Sequence, residues 1–197
     1  MFNLLSYLRS CFCQVNSTNN RYFPLHAAAV LHYGKAYIFA ASTGAGKTTL
    51  SAYLSNSGFA YISDDEIHID MTSLCVHAAP KPLHLREDSV AILKHYGINI
   101  TAPVTEKDSF RRVVYLPDYF VQGDFPIGRL YFIQRSTVDT ICKPIPPREA
   151  VQLIIGNLIT PEVDMSSCLR CAIQLAPECR QLIYSDMRYV REVIENE

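Results

Sequence analysis

Short apolar runs separated by polar breaks organise most of this chain, and their spacing predicts its elements. Phe23 to His32 reads as one strand, and Tyr33-Gly34-Lys35 as a tight turn. Ala36-Tyr37-Ile38-Phe39-Ala40 is apolar throughout, as in a strand buried on both faces. Thr48 to Asn56 follows as a helix that Ser57-Gly58 ends, and Phe59-Ala60-Tyr61-Ile62 is the next strand. Asp88 to Tyr96 reads as a short helix ended by Gly97. Thr101 to Arg112 is polar and reads as an insertion. Val113 to Leu116 is a strand stopped by Pro117, and Gly128 to Ile133 is another. Pro147 opens a helix whose apolar face runs from Ala150 to Leu158. Ser166 to Leu175 is a further helix, and Arg180 to Tyr184 is the last strand. Asp186 caps a closing helix through Ile194. Phe2 to Arg9 also has helical spacing, cut off by the polar run Asn16 to Asn20.

Strands alternating with helices predict an α/β fold, with a mixed central sheet flanked by helices. The 197 residues fit one domain, read here as 23–197 with 1–22 as an extension or short helix. A net charge of −1 supplies no basic field for nucleic acid and no attraction to a membrane surface. No apolar run approaches the length of a membrane span, and Met1 to Cys13 lacks a signal-peptide layout. Seven cysteines, with Cys168 and Cys171 as one C-x-x-C pair, lack the spacing of a paired zinc site and read as reduced thiols. The expected setting is the cytoplasm, with a homo-oligomer left open.

The chemistry starts at Ala41-Ser42-Thr43-Gly44-Ala45-Gly46-Lys47-Thr48-Thr49. Strand, glycine loop and helix in that order form a phosphate-binding P-loop. Small residues let backbone N–H groups turn inward around a phosphate chain, and the helix N-terminus adds partial positive charge. Ser42 to Thr49 is thus the candidate ATP site. Lys47 would reach the β- and γ-phosphates, and the Thr48 hydroxyl would ligate Mg2+. Ala41 stands where the full pattern has glycine.

Phe59 to Ile62 runs straight into Ser63-Asp64-Asp65-Glu66. Acids at the C-terminal end of a strand neighbouring the P-loop strand suit a metal ligand and a general base. Three adjacent acids also repel, so a cation is expected nearby. His26 is expected on a strand beside them. Lys81 and Arg86 fall on a proline-held extended stretch from Pro80, where cations would neutralise phosphate charge during transfer.

Leu25 to Val30, Ala41 to Thr49 and Tyr61 to Glu66, in this order, resemble the kinase domain of HPr serine kinase/phosphorylase, a family related to phosphoenolpyruvate carboxykinase. The stretch from Pro80 to Arg86 and the closing strand and helix are similar to short HPr-kinase-like proteins. Some of those are peptide-modifying serine kinases associated with lasso-peptide gene clusters. The resemblance runs from about Phe23 to the end. It implies Asp64 as the base that takes the acceptor serine's proton, His26 as the residue that orients Asp64, and Asp65 with Thr48 as the Mg2+ site. Arg86 joins Asp64 and His26 in the expected catalytic set. Ala27 stands where the family has glycine, and the segment tied to HPr as substrate is not recognisable near Arg86. The expected activity is ATP- and Mg2+-dependent phosphorylation of a serine on a peptide or small protein. The alternatives are a nucleotide-binding regulator without turnover and a small-molecule or carboxykinase-like phosphotransferase.

Overall fold

The structure is a computed structural model and describes residues 21–107, 110–159 and 164–197. The expected helix at Phe2 to Arg9 lies outside the described residues. The strands are β1 (Tyr22–Leu25), β2 (Ala27–His32), β3 (Lys35–Ala40), β4 (Ala60–Ser63), β5 (Ile67–Asp70), β6 (Cys75–Ala78), β7 (Leu83–Arg86), β8 (Val104–Lys107), β9 (Phe110–Tyr115), β10 (Gly123–Arg135), β11 (Ile141–Pro144) and β12 (Cys179–Tyr184). The helices are α1 (Lys47–Ser55), α2 (Glu87–His95), α3 (Pro147–Gly156), α4 (Met165–Leu175) and α5 (Met187–Glu195). Asp186 caps α5 through the Arg188 N–H at 2.8 Å, as its sequence position predicts.

A central mixed sheet runs in the order β1-β5-β6-β10-β3-β2-β4, with β12 added beside β10 and β11 beside β12. β3 shows why its sequence is apolar throughout. Ala36, Ile38 and Ala40 pack into one core layer with Ala150 and Ile154 of α3 and Cys168, Cys171 and Ala172 of α4. Tyr37 and Phe39 face the other layer, with Leu50 and Leu54 of α1, Leu93 of α2 and Val190 and Ile194 of α5. Helices cover both faces, so alternation with polar residues is lost. β10 changes partners along its length. Its first part pairs antiparallel with β6, and its second lies parallel between β3 and β12. The register shifts between Ile127 and Arg129. A Cβ at Gly128 would sit 3.1 Å from Tyr37 Cζ, so glycine permits the close approach there.

Three expectations change. The stretch from Phe23 to His32 is two strands, because the chain leaves β5 and joins β3 and β4 at a bend on His26. The acids do not follow the immediate neighbour of β3: β2 lies between β3 and β4. The polar stretch from Thr101 and the proline-held one from Pro80 contribute strands to a small antiparallel sheet, β7-β9-β8. In it Leu83, Leu85 and Val113 turn inward to the core, which fixes His84, Arg86 and Arg112 on the opposite face.

Candidate functional site

Three chain segments meet at one end of the central sheet. Ala27 at the start of β2 pairs with Ala40 at the end of β3, and Ala29 pairs with Ser63 at the end of β4. The glycine loop, His26 and Asp64-Asp65 are therefore brought together by strand register alone.

The loop turns through Gly44 and Gly46, with φ of +87° and +96°. Both angles lie in the left-handed region that favours glycine. Ala45 N–H donates to the Ser42 carbonyl at 3.2 Å, closing the turn. α1 then begins at Lys47 with no side-chain cap and no acid in its first turn. By contrast, Asp164 caps α4 and Asp186 caps α5. The first N–H groups of α1 are thus left to the cleft, where a helix start favours an anion.

Lys47 is 5% exposed, and its Nζ donates to the Ala41 carbonyl at 2.9 Å and lies 3.0 Å from His26 Nε2. Burial lowers its pKa, against the attraction of Asp64 and Asp65. His26 Nδ1 lies 2.9 Å from the Asp65 carbonyl oxygen. A carbonyl only accepts and an ammonium only donates, so these two contacts select the neutral imidazole with its proton on Nδ1. The ring nitrogens of His26 thus serve Lys47 and the Asp65 backbone, and the imidazole reaches Asp64 through neither.

The three acids take three directions. Asp64 is buried and accepts from the Thr48 hydroxyl at 2.7 Å through Oδ2, while Oδ1 is buried without a hydrogen-bond partner. Burial, reinforced by the Asp65 charge, pushes the Asp64 carboxyl up to about 7, against the Thr48 hydroxyl, the Asp65 backbone N–H and Lys47. Asp65 sits exposed in a left-handed turn at φ +67° and lines the cleft. Glu66 points away, 3.4 Å from Lys81 Nζ and 3.1 Å from His68 Nε2. Of the cations beside the acids, Lys81 pairs with Glu66, and Lys47 acts on Asp64 and Asp65.

A cleft of about 400 Å³ opens over the loop. Thr43, Gly44, Gly46, Lys47, Thr48 and Thr49 form its floor, with His26 and Asp65 at one side. Of the expected binding residues, Ser42 and Ala45 close the loop turn without lining the cleft. Arg86 lines it from the end of β7, beside His84 and opposite Arg112 of β9. Ser89 of α2 accepts from Thr49 Oγ1 at 2.9 Å, which ties the wall to the floor. Arg112, Arg135 and Ser89 escape the sequence reading. Arg135 had a usable signal: it is a cation at the C-terminal end of a strand, where open α/β sheets bind ligands.

The donor set fits Mg2+ better than a tight metal cage. Among the described residues no three His, Cys, Asp or Glu side chains converge to hold a metal. Mg2+ needs only one or two carboxylates plus substrate phosphates and water. Thr48 and Asp65, which both line the cleft, offer hard oxygen ligands of that kind. Cys168 and Cys171 of the C-x-x-C pair face the core, and burial raises both thiols, Cys171 to about 12.

No protein-family model matches this chain, and no curated protein matches it. Solved structures do, among them the HPr(Ser) kinase/phosphatase from Coxiella burnetii. That match has a TM-score of 0.44 and 11% identity, over 88% of this chain and 97% of that one. Among the described residues no helix is long and apolar enough to cross a membrane.

Proposed function

We propose that the chain is an ATP- and Mg2+-dependent kinase that phosphorylates a serine hydroxyl on a peptide or small protein. The observation that carries this reading is the Thr48–Asp64 pair. A buried carboxylate with one oxygen unpartnered sits on the hydroxyl that opens an uncapped helix behind a glycine loop. A carboxylate on the loop hydroxyl also suits Mg2+ binding in a nucleotide-binding protein; the raised carboxyl and its unpartnered oxygen are what favour a base for a hydroxyl acceptor.

In this reading the loop N–H groups and Lys47 hold the phosphate chain. Thr48 and Asp65 would hold Mg2+, which neutralises charge on the phosphate oxygens. Thr48 can offer a lone pair to a cation while its O–H donates to Asp64 Oδ2. The acceptor oxygen attacks the γ-phosphorus, the bond to the β–γ bridging oxygen breaks, and ADP leaves. Asp64 takes the hydroxyl proton, on Oδ1. His26 positions Lys47 and the Asp65 backbone, and so acts on Asp64 through the turn. Arg86 supplies positive charge from the opposite wall of the cleft.

The test is transfer from labelled ATP to a library of serine-containing peptides, with Mg2+, for the wild type and Asp64→Asn. Labelled peptide that depends on Asp64 supports the kinase. Tight ATP binding with no labelled peptide would instead make the chain a nucleotide-binding regulator. No ATP binding by calorimetry sinks the phosphate-loop reading itself.

A further inference from the structure

Arg135 closes β10, which runs parallel to β3 with Phe132 beside Ala40. Three residues on, Arg135 stands level with the glycine loop. Its stem crosses the loop at one place. A Cβ at Gly46 would lie 3.4 Å from Arg135 Cδ and 3.8 Å from the Tyr184 hydroxyl oxygen. Gly46 thus meets two demands, a left-handed φ and room for a guanidinium stem. Tyr184 is buried beneath, on the strand paired to β10. Beyond Cδ the guanidinium reaches the cleft, which Arg135 lines together with Lys47 and Thr48.

Several other arginines are engaged by carboxylates: Arg21, Arg111, Arg129, Arg188 and Arg191 each lie against one. Among the described residues no carboxylate lies within ion-pair distance of Arg135. A planar fork of donors beside inward-turned backbone N–H groups suits a phosphate oxygen.

We infer that Arg135 is a second cationic ligand, beside Lys47, for the phosphate chain in the glycine loop. The inference rests on the proposal that this loop holds phosphates, and it adds a residue from a distant strand to that site. Arg135 acts on the phosphates and not on the base.

Calorimetry on the full chain with Mg2+ tests this, with inorganic pyrophosphate, ATP and adenosine as separate probes. The proteins are the wild type, Arg135→Ala, Arg135→Lys and, as a control outside the cleft, Arg148→Ala. Arg135→Ala is expected to weaken pyrophosphate and ATP alike by roughly ten- to a hundredfold, the worth of a hydrogen bond to a charged group. Arg135→Lys should recover part of that loss, and Arg148→Ala should lose nothing. Pyrophosphate affinity unchanged in Arg135→Ala overturns the inference. So does a loss confined to ATP and adenosine, which would put the guanidinium on the base. A wild type that binds neither pyrophosphate nor ATP removes the loop reading and this inference with it. Wild-type binding with no effect at Arg135 removes the inference alone. Matched melting curves for the variants exclude misfolding as the cause.

Discussion

Asp64 and Asp70 are both buried, at 6% and 3% exposure, Asp64 shortly before the short strand β5 and Asp70 at its end, and they are driven in opposite directions. Asp70 accepts from the N–H groups of Thr72 at 2.8 Å and Ser73 at 3.0 Å, and from Arg21 Nε at 2.5 Å. The Ser73 N–H, with Arg21 and the Thr72 N–H, holds its carboxyl down at about 2 in spite of burial. Asp64 has the Thr48 hydroxyl and the N–H of its own neighbour, with a second acid beside it, and is held up at about 7. Burial is the largest cause at Asp64, while at Asp70 the donors outweigh it. Desolvation and the donors supplied to the charged form together decide whether a carboxylate is a fixed structural anion or a group ready to exchange a proton near neutrality.

The largest effect should fall on chemistry. Asp64→Asn keeps the shape and removes the basicity, so transfer should drop by about two to four orders of magnitude, with nucleotide affinity nearly unchanged. Asp70→Asn should leave transfer per folded molecule intact, and equal losses at both positions would erase the contrast. Lys47→Ala should abolish turnover and also weaken nucleotide binding, a joint loss that Asp64→Asn does not share.

Stability should show the reverse order. Asp70→Asn is expected to cost on the order of 1–3 kcal/mol in urea unfolding at pH 7, because donors built for a charge lose it. Its carboxyl is depressed in the fold. Its contribution is therefore complete above the ordinary carboxylate value and fades as pH falls from about 4 through about 2. The gap between wild type and variant should close over that window. Asp64 has the opposite sign. Its raised carboxyl makes the metal-free fold lose stability as pH climbs from about 4 to about 7. Asp64→Asn should then gain up to about 4 kcal/mol at pH 8, from the whole span between about 4 and about 7, and little at pH 4. A variant less stable than wild type at pH 8 would show that Asp64 is a structural anion after all. The smallest effect is at Asp65: Asp65→Asn should raise the Mg2+ concentration for half-maximal transfer several-fold, since one anionic oxygen ligand goes.

The loop and the acids were legible because their chemistry is written in adjacent residues, whereas the role of His26 came only with the family resemblance. Gly44, Gly46 and Lys47 sit together in sequence, as do Asp64 and Asp65. The fold class was legible because β3 carries a continuous apolar run and the helices carry their caps. The break at His26 was not, since Phe23 to His32 is apolar on both sides of it and only the change of partner strand divides it. Arg112 and Arg135 were hidden for a different reason. Each owes its place to strand pairing across a long stretch of chain, and no local pattern records which strands will meet. The β7-β9-β8 sheet was hidden likewise, because the polar residues of β8 and β9 cover only its outer side.

The parallel contact between β3 and β10 joins residues roughly ninety positions apart. Until β10 arrives, the strand that leads into the glycine loop is paired on one side only, to β2. Such contacts close late, since the ordering of the intervening chain comes before the reward. During synthesis, the first 122 residues would emerge with Ala36 to Ala40 as an open apolar edge, the kind of edge that pairs with other chains. A fragment ending before Gly123 should therefore aggregate rather than hold nucleotide weakly. The glycine loop lies in the first quarter of the chain, yet its assembly waits for the last half.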